Sequence, residues 1–280
     1  MPRNAPGDVE LRPGTALVRD RDRPSAYTLW VGGMEQSCVD LDDPTHLEFD
    51  YVQRVADAVE AWAAPGRPLR VVHVGGAAMT VPRYLAATRP GSAQLVLEPD
   101  VELTAFVREH LPLPPRTGVR VRPTDGVRGL AELRDGFAEL VVVDAFDGAQ
   151  VPPELTTVDF LAACRRVVGP RGLVVVNLTD RGPMTYARRA VAGLAEVFAA
   201  AALCAEPGTL KGRRFGNVLG LGSDAALPVA GLAARAGLGP YPYRVVSGPR
   251  LTQLLSGVRP FTAGDTAPSP PPPDARLGFG

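Results

Sequence analysis

Five apolar runs, each followed by a stretch with helical periodicity, constrain this chain more than any other feature. They are LRVVHVGG before TVPRYLAATR, AQLVLEPD before VELTAFVREHL, and VRVRPTDG before VRGLAELR. AELVVVDAF before PPELTTVDFLAACRRVV and GLVVVNLTD before MTYARRAVAGLAEVFAAA complete the set. The strand-like runs lack polar alternates, as expected of strands covered on both faces. Strand and helix in strict alternation make right-handed βαβ units and a parallel sheet. The expected fold is therefore α/β, a Rossmann-like doubly wound and mostly parallel sheet. A further strand is expected around NVLGLGS. In such sheets ligands sit beyond the carboxyl ends of the strands. The residues directly after each run are the candidates for chemistry.

The flanks read differently. Residues 1–14 are rich in Pro, Gly and charge and are expected to be flexible. TALVRD, AYTLWVG and QSCVDL are short β-leaning runs between turn-formers, which predicts a small antiparallel β-module of two or three strands. A helix follows from about Thr45 to Ala64, with Asp43-Pro44-Thr45 as its start signal. The module and its linking helix occupy 15–64, the α/β domain 65–226, and a C-terminal extension 227–265. RLTQLLSGVRPF suits one helix there. The proline-rich stretch 266–280 lacks the apolar residues of a core and is expected to be disordered.

Composition excludes several classes. Thirty basic residues balance thirty acidic ones, so the charge excess of a general nucleic-acid binder is missing. No run approaches the roughly 20 apolar residues of a membrane span, and the N-terminal residues carry no apolar signal core. Cys38, Cys164 and Cys204 are odd in number and widely spaced, which suits reduced thiols in a cytoplasm. His46, His73 and His110 show no ligand spacing, and no metal site is expected. His73, inside an apolar run, is read as a core residue with a satisfied ring.

Four strand ends carry the chemistry. Gly75 and Gly76 follow the first run and let the backbone bend tightly and a ligand come close. The pair is not GxGxxG, so a dinucleotide is poorly supported. Glu98, at the second strand tip, is placed to accept from both ribose hydroxyls of a nucleoside. Asp125-Gly126 after the third run either binds an adenine amino group or forms a simple turn. Asp144 and Asp147, in VVVDAFDGAQVPPEL, put two acids in one loop at the crevice.

With that order of glycine pair, Glu, Asp-Gly and Asp, the chain resembles the spermidine synthase family, aminopropyltransferases on the class I S-adenosylmethionine-dependent methyltransferase fold. The resemblance runs from about Leu17 to Asp224 and rests on GGMEQ, VGGAA, LEPD, TDG and VDAFDG. It implies that decarboxylated S-adenosylmethionine or S-adenosylmethionine is the co-substrate, with no metal. Gly75 and Gly76 would admit the sulfonium nucleoside, Glu98 hold the ribose, and Asp125 with Gly126 receive the adenine. Gln36 would lie near the aminopropyl or methionine portion. Tyr51 would stand in the helix that closes the pocket, and Asp147 would hold a substrate amine. Asp144 would take the place of the acid that helps deprotonate the attacking amine. The partner implied is a small-molecule amine or other small acceptor, with neither nucleic acid nor membrane, and the family's habit allows a homodimer.

The chain departs from the family at three points. Ala78 stands where the family's glycine-rich loop has an aspartate that binds an ammonium. Val52 replaces a histidine after the tyrosine. Arg213 or Arg214 falls near a tyrosine position, where a cation would repel a polyamine and, with Lys211, suit a neutral or anionic acceptor. Two alternatives to aminopropyl transfer follow: a methyltransferase acting on a non-polyamine acceptor, and a non-catalytic nucleoside-binding paralogue.

Overall fold

A computed structural model describes residues 7–273. Strands β1 (Val9–Arg12), β2 (Thr15–Arg19), β3 (Ala26–Val31) and β4 (Met34–Asp40) form an antiparallel sheet in sequence order. It has four strands rather than the two or three expected. The extra one lies in the stretch expected to be flexible, where Val9 and Glu10 register against Leu17 and Ala16. Residues 1–6 of that stretch lie outside the described residues. Gly32 and Gly33, with φ of 60° and 80°, make the β3–β4 turn, a two-residue hairpin with both central residues left-handed.

Helix α1 (Asp50–Trp62) begins later than the start signal suggested. Asp43 instead accepts from the Thr45 amide at 3.0 Å, closing a local turn.

The main sheet contains β5 (Arg70–Val74), β6 (Ala93–Leu97), β7 (Val119–Arg122), β8 (Leu140–Val143), β9 (Leu173–Asp180), β10 (Ala200–Ala205), β11 (Gly216–Ser223) and β12 (Arg244–Ser247). Their order is β12-β10-β11-β9-β8-β5-β6-β7. β5 to β9 run parallel, while β11 is antiparallel to β9 and β10 pairs antiparallel with both β11 and β12. Ala200 and Ala201, expected as a helix end, open β10, because Leu203 and Ala205 pack into one core while Ala202 and Cys204 pack into the other. Helices α2 (Thr80–Thr88), α3 (Val101–His110), α4 (Gly126–Ala131), α5 (Val158–Val168) and α6 (Thr185–Val197) separate the strands. The C-terminal extension contains α8 (Val229–Arg235) and α9 (Gly248–Leu254), after the single turn α7 (Pro207–Leu210).

Side chains alternate between two cores. Val141 and Val143 pack toward α5 and α6, and Val142 and Val175 toward α1 and α2. A third cluster joins Leu17, Leu29 and Val39 of the small sheet to Ala78, Met79 and the α3 residues Leu103 and Phe106. The β-module therefore docks on the turn after β5. Part of the tail is ordered, contrary to expectation: Ser269 is fully buried, and its hydroxyl accepts from the Val151 amide at 2.9 Å. Hydrogen bonds, not apolar burial, hold it. Residues 274–280 lie outside the described residues. Among the described residues no helix is long and apolar enough to cross a membrane.

Candidate active site

Strand order reverses between β5 and β8, and there a cleft of about 1180 Å³ opens at the carboxyl ends of the strands. Gln36, Tyr51, Gly75, Gly76, Glu98, Asp125, Gly126, Asp144 and Asp147 all line it. These residues come from six segments of the chain, brought together by sheet topology.

The glycine turn is demanded by the chain as well as by any ligand. Gly75 has φ of +93°, and a Cβ there would overlap the Asp144 carbonyl oxygen and sit 2.8 Å from its carbon. A Cβ on Gly76 would lie 3.2 Å from that of Glu98. Glu98 braces the turn, its Oε2 accepting from the Gly76 amide at 2.8 Å and its Oε1 from Asp100 at 2.9 Å. Oε2 also accepts from the Ala77 amide at 3.4 Å, while Oε1 keeps a second lone pair. Asp125 caps α4, accepting from the Arg128 amide at 2.8 Å with Oδ1. Gly126 is buried against Val74 and Leu155, where any side chain would collide with Val74.

Asp144 ends β8 on the α1 face. Asn177 Nδ2 donates to its Oδ1 at 2.8 Å, and Asn217 Nδ2 donates to Asn177 Oδ1 at 3.0 Å. The Tyr51 hydroxyl lies between the Gln36 carbonyl, 3.4 Å away, and the Asp144 carboxyl. Burial pushes the Asp144 carboxyl up to about 6, against the opposing hydrogen bonds from Asn177 and Tyr51. Burial and the neighbouring Asp144 charge push the Tyr51 hydroxyl well above its ordinary range.

The loop after Asp144 is pinned on both sides. Gln36 Nε2 donates to the Gly148 carbonyl at 2.8 Å from the β-module. On the other side Gln150 donates to the Ser269 carbonyl, and the Ser269 hydroxyl lies 3.0 Å from Thr179 Oγ1. Asp147 is exposed at the loop tip, its backbone bridged to Gln150.

Three further placements bear on the chemistry. Ala78 is fully buried, so no carboxylate reaches the cleft from that point of the turn. Arg214 lines the rim but pairs with Glu206 at 2.7 Å, and Lys211 and Arg213 are exposed outside the lining. His73 is buried with Nε2 at 2.9 Å from Gln94 Oε1, and burial holds its ring down at about 4, which makes it a satisfied core histidine. Among the described residues no group of three or more His, Cys, Asp or Glu is arranged to hold a metal.

Sequence reasoning passed over Asn177, Asn217 and Ser269. Asn177 interrupts the apolar run of β9, and a polar residue within a fully buried strand is the signal that marks it, while Asn217 stands half-buried at the start of β11.

The chain is 28% identical over 143 residues to a polyamine aminopropyltransferase of Chromobacterium violaceum, covering 51% of this chain and 53% of that protein. The chain thus matches about half the length of its curated relatives. A crystal structure of a probable spermidine synthase from Corynebacterium glutamicum superposes with a TM-score of 0.83 at 29% identity, over 89% of this chain and 94% of that one. A spermidine synthase from Thermotoga maritima shares the fold, with a TM-score of 0.56 at 14% identity over 90% and 78% of the two chains. No family model matches the chain. The architecture is that of the class I methyltransferase fold preceded by a small antiparallel sheet, and in sequence and fold the chain resembles the spermidine synthase family.

Proposed function

We propose that the chain transfers an aminopropyl group from decarboxylated S-adenosylmethionine to a small amine. The observation that carries this reading is the charge of the cleft. Ten lining residues are Asp or Glu and two are Arg. Both arginines are already committed, Arg12 to Asp100 and Glu102 and Arg214 to Glu206. Glu35, Asp147 and Glu154 have no ion-pair partner among the described residues. A cleft of this sign concentrates cations, and both reactants of aminopropyl transfer are cationic. A carboxylate about 4 Å from an ammonium near a protein surface contributes about 4 kcal/mol of attraction.

In this reading Glu98 receives the ribose hydroxyls chiefly through Oε1, and Asp125 Oδ2 receives the adenine amino group. Gly75 and Gly76 form the floor under the sulfonium. With Ala78 in the turn, the ammonium ends fall to Asp147, Glu35 and Glu154, which line the cleft. The acceptor amine attacks the methylene carbon beside the sulfonium. The new C–N bond forms as the C–S bond breaks, the electron pair stays on sulfur, and methylthioadenosine leaves. Asp144 takes the proton lost by the amine, and Tyr51 and Asn177 hold its carboxyl for the transfer.

Calorimetry with decarboxylated S-adenosylmethionine, S-adenosylmethionine and methylthioadenosine, followed by a putrescine conversion assay, tests the reading. Preference for the decarboxylated form with turnover supports it. Preference for the carboxylated form turns it into a methyltransferase, and binding without turnover on a panel of amines leaves a nucleoside-binding paralogue. Asp144→Asn is expected to lower kcat by about 100-fold or more while nucleoside affinity stays within about threefold. Full activity in that variant removes Asp144 from the chemistry.

A further inference from the structure

Arg54 is a charge with no business inside a protein unless something there uses it. It sits on α1 at 1% exposure. Its guanidinium pairs with Asp50, one turn earlier, and donates through Nη1 to the Asn217 carbonyl at 2.9 Å. An isolated buried charge is costly, and a pair repays that cost only when its remaining donors are satisfied. Here the donor that leaves the pair goes to the second residue of β11, beside the cleft.

The sheet register explains what happens next. Asn217 faces Thr179, and Leu219 faces Asn177, so Asn217 and Asn177 are diagonal neighbours on one face of the antiparallel pair. That is the face of Val175 and Val142, which packs on α1, and Asp144 continues it. The three side chains therefore meet without any strain. Asn217 Nδ2 donates to Asn177 Oδ1 at 3.0 Å, and Asn177 Nδ2 donates to Asp144 Oδ1 at 2.8 Å.

An asparagine amide presents an acceptor on one side and donors on the other. Asn177, left to itself, could turn either side toward Asp144. Its carbonyl toward the carboxylate would be repulsive, and its NH2 is attractive. Asn217 occupies the carbonyl and so fixes the NH2 on Asp144. Arg54 in turn holds the backbone from which Asn217 projects. We infer that Arg54, Asn217 and Asn177 form a one-way relay of positioning residues that aims the Asp144 carboxyl. One oxygen is held against the sheet, and the other is left for Tyr51 and the cleft.

The charged and titratable groups around Asp144 are few. Tyr51 faces it from α1, with the Asp50–Arg54 pair behind. Asn177 faces it from β9 and is neutral. The β5 side offers the Gly75 backbone and His73, whose ring is tied to Gln94. Asp147 lies on its own loop. The relay's donor is the direct hydrogen bond that holds the ionised form from the sheet side. Its loss moves the carboxyl toward its protonated form.

The kinetic arm of the test rests on the aminopropyl reading, and the spectroscopic arm does not. Carbon-13 NMR of Asp-labelled protein, with Asp144→Asn to assign the resonance, gives the Asp144 midpoint directly. Asn217→Ala, which removes the amide and adds no charge, is expected to raise that midpoint by about half to one pH unit. It is expected to lower kcat by about tenfold with KM nearly unchanged. On an Asn177→Leu background, Asn217→Ala should move the midpoint no further, since the link it acts through is gone. Arg54→Met should shift the midpoint in the same direction and by less. If Asn217→Ala or Arg54→Met unfolds the protein, Asn217→Ser, which keeps a donor at shorter reach, is read for an intermediate midpoint. An Asp144 midpoint unmoved in folded Asn217 variants overturns the relay. A shifted midpoint in a protein that never turns over amines keeps the relay and sinks the aminopropyl reading instead.

Discussion

In the proposed transfer Asp144 has to be ionised to take a proton from an ammonium, and burial works against that. The carboxyl is raised from its ordinary 3.8 to about 6. The rate, kcat/KM, should therefore fall through a single proton uptake as pH drops below about 6, and be flat in Asp144→Asn. Stability runs the other way. The folded state binds this proton at a higher pH than the unfolded chain does, so the group destabilises the fold above about 6 and ceases to do so as pH falls toward 3.8. Melting of Asp144→Asn against the parent checks the sign: the variant should gain in Tm at pH 8 and lose most of that gain by pH 4. A gain that grows toward acid contradicts the assignment. The carboxylates themselves were visible in the sequence, because a strand end with an acid after four apolar residues is a strong local pattern. Their settings were not: nothing local to Asp144 announces Asn217, which comes from a different strand, or Arg54, from a helix near the start of the chain.

At the scale of elements, the cleft wall depends on a segment that composition alone writes off. Ser269 holds the loop after Asp144 through Val151, Gln150 and Thr179. Ser269→Ala leaves a buried amide and a buried hydroxyl short of a partner, a loss of about 1–3 kcal/mol. The expected outcome is a lower Tm and faster proteolytic nicking between Asp144 and Val151, with the helix signal in circular dichroism retained. Unchanged nicking means that the segment does not hold the loop. Proline-rich text predicts disorder since it brings no apolar side chain to bury, yet one serine with three partners is enough here. The same kind of blindness hid β10. Its alanines continue the composition of the preceding helix, and only the two cores, one above and one below Ala200–Ala205, decide for a strand. By contrast β5, β6, β8 and β9 were legible because burial on both faces leaves a sequence little choice but Val and Leu.

Across the whole molecule the net charge is zero, while the cleft is acidic. The compensating arginines lie elsewhere, many tied to surface carboxylates such as Arg165 to Asp224 and Arg166 to Asp135. Amine capture in this field should weaken with ionic strength. KM for the acceptor is expected to rise several-fold as salt goes from about 0.05 to about 0.5 M, since the screening length shortens below the width of the cleft, while kcat holds. A KM indifferent to salt contradicts capture by charge. The overall charge balance, read from composition, disfavours nucleic acid but says nothing of this local excess, which exists only once the sheet has gathered distant acids. There is also a matter of timing in the strap across the loop. Val151 and Ser269 are 118 positions apart. A ribosome making this chain releases β5 to β9 and the acids at their ends well before the serine that fastens the loop after Asp144. The nascent protein has the cleft floor and Asp144 in hand while one side wall still waits in the exit tunnel.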